Sequence, residues 1–315
     1  MQSLIKLEDI THLDRHPVEK SDELHVEWFI GKRCNYDCSY CHDLNHDNHS
    51  PHTDMTHIVN SIGKMFDRFQ NKLQINFTGG EPTVHPEFGR LVDFLAECDI
   101  NVSMTTNGTR KAEYYTDIYR AFNHITYSQH FEHAINDVFL PKMKYINEHR
   151  SDRSMQIQVM YHAQHEDAVH EAIRYYEFHN IPYTVRRLRP TKNHKYPIQE
   201  AMHYSPEQVN SIKWFQASDT GNVPNVRVTA GDKTHTVHTN ELTGLGMRSF
   251  KGWMCLAGVN FIRVHDNLVY RCWGEFRTPI GDITDPDFQL STEARPCIAN
   301  KCVCAPEIST RKWRV

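Results

Sequence analysis

The sequence has no apolar run approaching the ~20 residues that a membrane span needs, and its opening MQSLIKLEDITHLDRHPVEK lacks the apolar core of a signal peptide. A membrane is therefore not an expected partner, and the cytoplasm is the expected compartment. An excess of basic residues is missing too: 35 Lys and Arg stand against 39 Asp and Glu, a formal net charge of -4, with no basic tail. That balance offers a phosphate backbone no attraction, so nucleic acid is not expected either. The chain also shows no internal repeat of roughly 20 to 50 residues and no low-complexity tract, which excludes solenoids and disordered linkers as its main architecture.

What is present is cysteine in groups. The nine are Cys34, Cys38, Cys41, Cys98, Cys255, Cys272, Cys297, Cys302 and Cys304. An odd number without an export signal argues against a disulfide framework, and grouping favours metal ligation. Cys98 stands apart on a predicted helix end, where a buried small hydrophobe is the expectation. Among 22 histidines, His42, His46, His49, His52 and His57 crowd one stretch interleaved with Asn, Asp, Ser and Pro, which predicts a solvated loop.

At 315 residues the chain can bury a sizeable core. Short apolar or β-branched segments at 24–31, 73–78, 101–105, 125–128, 155–161 and 183–188 predict strands. Between them run helical patterns, the clearest carrying Met55, Ile58, Ile62, Met65, Phe66 and Phe69 on one face, with others over 86–98, 112–122, 135–149 and 166–179. The alternation predicts an α/β fold with a parallel sheet. Six strands fall short of the eight of a closed barrel, so a partial (β/α)6 TIM-like barrel is the economical architecture. Beyond Pro190 a polar connection leads to Ser205-Pro206-Glu207-Gln208, a capping-box start for a helix to about Ala217, and a hairpin turning at Gly231-Asp232. The expected division is an extension over 1–20, the barrel over 21–190, a connecting helix and hairpin over 191–250, and a small module over 251–315. That module holds five cysteines and little apolar periodicity, which predicts a metal-stapled unit in place of a second apolar core.

Cys34, Cys38 and Cys41 follow the first predicted strand, where a barrel carries its functional loops. Three thiolates without a fourth nearby leave one iron of a [4Fe-4S] cluster open to a ligand. A zinc site completed by His42 or a distant residue is the alternative. The spacing, with Tyr40 just before the last cysteine, resembles the cluster signature of the radical S-adenosylmethionine (SAM) superfamily. Phe77-Thr78-Gly79-Gly80-Glu81-Pro82, at the end of the next strand, resembles that superfamily's GGE motif, and Thr105-Thr106-Asn107-Gly108-Thr109 is a common family form at the third strand end.

This resemblance implies that Cys34, Cys38 and Cys41 hold the SAM-binding [4Fe-4S] cluster and that Tyr40 packs near the adenine. Gly79, Gly80 and Glu81 would surround the methionyl amine, and Thr106, Asn107 and Ser128 would meet the carboxylate and ribose. Turn capping is the bland alternative for those last three. Met160 and Arg187 are further candidates of the same kind. The resemblance also implies a reductant such as flavodoxin or ferredoxin.

In the C-terminal stretch, Cys255, then Cys272 at the end of a predicted hairpin, then Cys297, Cys302 and Cys304 resemble the SPASM and twitch modules of radical SAM enzymes. Asn267 stands where those modules usually have Gly, and Asn tolerates the same left-handed turn. Five cysteines suit a second, auxiliary [4Fe-4S] cluster on four of them, with a zinc ribbon as the alternative. The implied activity is reductive SAM cleavage and hydrogen abstraction from a small-molecule or peptide substrate. His130, Glu132, Tyr161, His162, Arg186 and Arg189 are expected around the substrate, with the arginines suited to an anionic group. A non-catalytic zinc- or iron-stapled binding protein is the alternative from another class.

Overall fold

The computed structural model describes residues 6–17, 22–42, 45–188, 203–211, 215–218, 221 and 223–315. In chain order the first strands are β1 (Ile10–Arg15) and β2 (Leu24–Phe29), followed by helix α1 (Met55–Phe69) and β3 (Leu73–Thr78). Then come α2 (Phe88–Ala96), β4 (Asn101–Thr106), α3 (Ala112–Ile118), β5 (His124–His130), α4 (Asn136–His149), β6 (Ser154–Tyr161), α5 (Glu166–Phe178) and β7 (Tyr183–Arg187). After α6 (Pro206–Ser211) and β8 (Phe215–Ala217) the chain forms the hairpin β9 (Val226–Ala230) and β10 (Lys233–Val237), then α7 (Thr239–Gly244). The C-terminal stretch holds β11 (Met254–Cys255), β12 (Phe261–His265), β13 (Leu268–Tyr270), β14 (Gly281–Asp282), β15 (Arg295–Pro296), α8 (Ala305–Ser309) and β16 (Lys312–Trp313).

The chain divides into two compact units, one of Met1–Trp28, Asn60–Ile75 and Val223–Val315, the other of Phe29–Val59 and Asn76–Asn222. The second is the barrel unit. Its strands run in the order β3-β4-β5-β6-β7-β8, with β4 to β7 parallel and β8 antiparallel on β7, and the sheet is not closed. This is the expected α/β fold, a partial TIM-like barrel. The period-2 alternation is plain on β6, where Met155, Ile157, Val159 and Tyr161 are buried while Gln156 and Gln158 are half-buried. Helix α1 buries Met55, Ile58, Ile62 and Met65 at helical spacing, and the Asp54 carboxylate receives the Thr56 N–H at its start.

Expectation is departed from at three places, one in the barrel unit and two in the other unit. Residues 10–15 are not a polar extension: β1 pairs antiparallel with β9 and β16, and Ile10 and Leu13 are fully buried. A six-stranded sheet of order β10-β9-β1-β16-β11-β15 results. The unit also has an apolar core after all, made of Ile10, Leu13, Val226, Val228, Leu242, Met247, Phe250, Trp253 and Ile308. It is invisible to periodicity because segments far apart in the chain supply one or two residues each. The third departure is the helix from Ser205. Its capping box forms as expected, Ser205 Oγ accepting the Gln208 N–H and Gln208 Oε1 the Ser205 N–H, but among the described residues α6 is Pro206–Ser211 and does not reach Ala217. Residues 215–217 pair with β7 instead, because a sheet edge offers backbone partners that a helix end lacks.

Two turn expectations are borne out. Gly231 turns β9 into β10 at φ 60°, and Asp266 and Asn267 turn β12 into β13 at φ 50° and 64°. The left-handed conformation at both central residues is the hairpin geometry that Asp and Asn tolerate.

Candidate functional site

In the barrel unit the segment after β2 and the turn after β3 meet by backbone. Gly80 N–H bonds Gly31 O at 2.9 Å and Glu81 N–H bonds Arg33 O at 2.8 Å. A Cβ on Gly79 would stand 2.4 Å from Gly31 O, and one on Gly80 2.3 Å from Arg33 O. The glycine pair is therefore needed to seat the cysteine loop against β3, a second reason for it besides approach to a ligand.

Cys34, Cys38 and Cys41 line a cleft of about 320 Å³ together with Tyr36, Tyr40, Thr78, Gly79, Gly80, Thr105, Thr106, Asn107, Ser128, His130 and Met160. Among the described residues no fourth cysteine lines it, so the donor set matches a cluster with one open iron. Cys34 Sγ accepts the Tyr36 N–H at 3.4 Å and the Asn107 amide at 3.8 Å. Burial holds the Cys34 and Cys38 thiols above the ordinary range, so they would bind metal only on losing protons that the unloaded site retains.

The expected residues fall into two groups. Tyr40, Gly79, Gly80, Thr106, Asn107, Ser128 and Met160 are brought together at the cleft. Glu81 is turned away from it into the β3 turn: its buried carboxylate accepts hydrogen bonds from the Thr83 N–H and hydroxyl, the Thr106 hydroxyl at 2.7 Å and the Asn107 N–H at 2.6 Å. Burial raises its carboxyl pKa, opposed by these donors. Glu81 thus acts on the site through the Thr106–Asn107 turn. Arg186 and Arg187 are half-buried at the end of β7, outside the cleft lining, and Arg189 lies outside the described residues.

Three features go beyond the sequence reading, which offered His42 only as the completing ligand of a zinc site and placed His130, Glu132 and His162 around the substrate. His42 and His46, expected in a solvated loop, line the cleft beside Asn45; His49 is exposed as expected, and His57 is exposed but lies on helix α1 and not in a loop. Position directly after Cys41 was the signal available for His42. Glu132 clamps the cysteine loop: it accepts the Ser39 N–H at 2.7 Å and the Ser39 hydroxyl, and faces His162 Nε2 at 3.2 Å. Burial alone would raise its carboxyl, but His162 and Ser39 outweigh that and hold it at about 2. Two imidazole–phenol pairs complete the loop's support, Tyr40 on His130, with its hydroxyl 2.8 Å from Nδ1, and Tyr36 stacked on His133 at 4.6 Å. Tyr161 is withdrawn, its hydroxyl on Glu166 and its ring on Tyr204.

The other unit holds a closed pocket lined by Cys255, Cys272, Cys297 and Cys302 with Arg271, Glu275 and Glu307. All four thiols are buried. Cys304 is excluded from the lining and sits 3.5 Å from both the Glu27 carboxylate and the Arg263 guanidinium. The Arg271–Glu275 pair ties the pocket wall, and Arg271 also donates to Ala257 O at 2.9 Å, joining the Cys255 loop to the hairpin that ends in Cys272. A tetrahedral zinc site would bring its sulfurs to about 3.8 Å from one another, given Zn–S of about 2.3 Å. Four thiols suit either such a zinc site or a [4Fe-4S] cluster. Cys98 is half-buried, less enclosed than expected. No helix among the described residues is long and apolar enough to cross a membrane.

Comparison with known proteins agrees with this geometry. Residues 28–157 match the profile of the Radical SAM superfamily. A stretch of 91 residues is 33% identical to the S-adenosylmethionine-dependent nucleotide dehydratase of Selenomonas ruminantium, covering 27% of this chain and 30% of that protein. The fold is similar to Streptococcus suis SuiB bound to precursor peptide SuiA, with TM-score 0.51, 14% identity, 80% of this chain and 60% of that one. It is similar also to anSMEcpe with bound AdoMet, at TM-score 0.53 and 12% identity over 83% of this chain and 75% of that one.

Proposed function

We propose, from the Radical SAM superfamily match over residues 28–157, that the chain is an enzyme whose cluster, when bound, would supply the electron that splits SAM into methionine and a 5'-deoxyadenosyl radical able to take hydrogen from a small-molecule or peptide substrate. The observation that carries this is the cleft lined by Cys34, Cys38 and Cys41 without a fourth cysteine among the described residues.

The chain's own residues would bind, orient and exclude water. Cys34, Cys38 and Cys41 hold the cluster, and the N–H donors on Cys34 Sγ temper its charge. Glu132, through Ser39, fixes the loop between Cys38 and Cys41. Tyr40, Gly79, Gly80, Thr106, Asn107, Ser128 and Met160 form the wall against which SAM would lie, with Glu81 bracing that wall and Arg187 at the end of β7, outside the cleft lining. We assign a second, auxiliary [4Fe-4S] cluster to Cys255, Cys272, Cys297 and Cys302, in a SPASM- or twitch-like module, on the basis of their shared buried pocket.

For the substrate, the dehydratase likeness supports a small molecule and the peptide-bound SuiB structure supports a peptide. The first rests on sequence identity and the second on fold alone, so the small molecule is the stronger reading. Arg186 and Arg187 suit an anionic group on it. A flavodoxin or ferredoxin in the cytoplasm would deliver the electron.

Incubating the anaerobically reconstituted protein with dithionite and SAM should release 5'-deoxyadenosine even without substrate. Methylthioadenosine or S-adenosylhomocysteine as the main product would show a transferase use of SAM and overturn the hydrogen-abstraction reading.

A further inference from the structure

The C-terminal pocket contains a buried carboxylate that the cluster assignment leaves without a role. Glu307 is 2% exposed and lines the pocket with the four cysteines. One carboxylate oxygen accepts the Trp273 N–H, and the other accepts the Val303 N–H at 2.7 Å. Trp273 directly follows Cys272, and Val303 directly follows Cys302. A single side chain therefore grips the peptide units behind two of the four cysteines, which come from segments far apart in the chain.

The grip is itself braced. Lys312, fully buried, donates to Glu307 O at 2.6 Å, Ile308 O at 2.9 Å and Thr310 O at 2.8 Å, and lies over the Phe250 ring. On the other side the Trp273 ring lies under the Arg263 guanidinium, which is paired with Glu27. A buried carboxylate is costly to desolvate, and hydrophobic packing would serve stability as well or better. What the carboxylate adds is geometry, since two acceptor oxygens at fixed spacing set the distance between two backbone segments.

Resting on the auxiliary-cluster assignment, we infer that Glu307 is the positioning residue of the C-terminal cysteine pocket, holding Cys272 and Cys302 at cluster spacing through the N–H groups that follow them. Glu307 does not ligate iron. It also places a negative charge at the pocket wall, and such charge lowers the reduction potential of a neighbouring cluster.

The test compares the full-length wild type, Cys272→Ala and Glu307→Gln after anaerobic reconstitution, reading iron per chain and the midpoint potential of the C-terminal cluster. A glutamine can accept only one of the two N–H groups and carries no charge. Glu307→Gln should lower the iron from about eight toward about four per chain, as Cys272→Ala does. The clusters that remain at the C-terminal site should have a higher potential than in the wild type, a shift that loss of folding alone would not produce. Full iron and an unchanged potential in Glu307→Gln, beside loss of half the iron in Cys272→Ala, would overturn the role of Glu307 and leave the cluster assignment standing. Full iron in Cys272→Ala would overturn the assignment, and the role of Glu307 with it. If Glu307→Gln is insoluble, Glu307→Asp carries the same test, since its shorter arm reaches one N–H group only. An intermediate iron content supports the inference, and a wild-type content with wild-type potential refutes it.

Discussion

The two cysteine sites differ in enclosure. Cys34 and Cys41 are half-buried and Cys38 buried at a cleft with a glycine-lined backbone rim, while Cys255, Cys272, Cys297 and Cys302 are all buried among paired charges. An open site with three thiols can exchange a ligand, and a closed site with four can only keep what it holds. The proposed division of labour, SAM chemistry at one and a permanent cluster at the other, follows from that difference.

Removing ligands from each site in turn should separate the two most sharply. Cys41→Ala should reduce 5'-deoxyadenosine formation to below detection, and replacing Cys34, Cys38 and Cys41 together by Ala should lower the iron from about eight to about four per chain. If the triple variant keeps its full iron, the cleft is not a cluster site. Replacing Cys255 or Cys297 by Ala should remove the other four or so irons and speed proteolysis after about residue 250, while the soluble fraction still cleaves SAM. Cys304→Ala should keep the iron of the wild type, because its thiol faces Glu27 and Arg263 and not the pocket. Loss of iron in Cys304→Ala equal to that in Cys297→Ala would break the assignment of the four ligands.

A second comparison concerns glycine. At Gly80 an added Cβ meets the Arg33 carbonyl at 2.3 Å, and at Gly274, two residues after Cys272, it meets the Ala299 Cβ at 2.4 Å. Neither neighbour is the end of a flexible side chain, so Gly80→Ala and Gly274→Ala should each cost about 1–3 kcal/mol as overpacking. Urea unfolding would measure this. The iron lost should differ by site, the SAM-binding cluster in the first variant and the C-terminal one in the second.

The features legible in the sequence were the ones encoded locally. The spacing of Cys34, Cys38 and Cys41, the helical period through Met55, Ile58 and Ile62, and the left-handed turn at Asn267 all lie within a few residues, and each is found where expected. What was missed acts across long separations. Strand β1 contributes two buried apolar residues to a core completed by Val226, Val228 and Ile308. Glu132 meets Ser39, and Glu307 meets Trp273, through backbone N–H groups that leave no mark on the pattern of residue types. The proposed assignment of Cys297 and Cys302 over Cys304 rests on such a long-range arrangement too, since spacing alone treats the three alike.

The two clamping carboxylates invite the finest comparison. Glu307 is so enclosed that burial raises its pKa, whereas Glu132 is held down at about 2 because His162 and Ser39 outweigh its burial. A carboxyl with a folded pKa below its ordinary 4.5 binds fewer protons in the folded state than in the unfolded one. Its contribution is therefore fully present above about pH 5 and is lost as the pH falls from there toward 2. Glu132→Gln should accordingly destabilise the protein near pH 7 by about 1–2 kcal/mol, the worth of hydrogen bonds to a charged and partly exposed acceptor. Because the wild type loses this contribution in acid and the amide never had it, the difference in urea midpoint should shrink steadily below about pH 5. A difference that stays constant from pH 7 to pH 3 would show that Glu132 acts through packing and not through its charge. The cysteine loop of the open site would then owe its position to that packing, to the backbone bonds at Gly31 and Arg33 and to the Tyr36–His133 and Tyr40–His130 pairs.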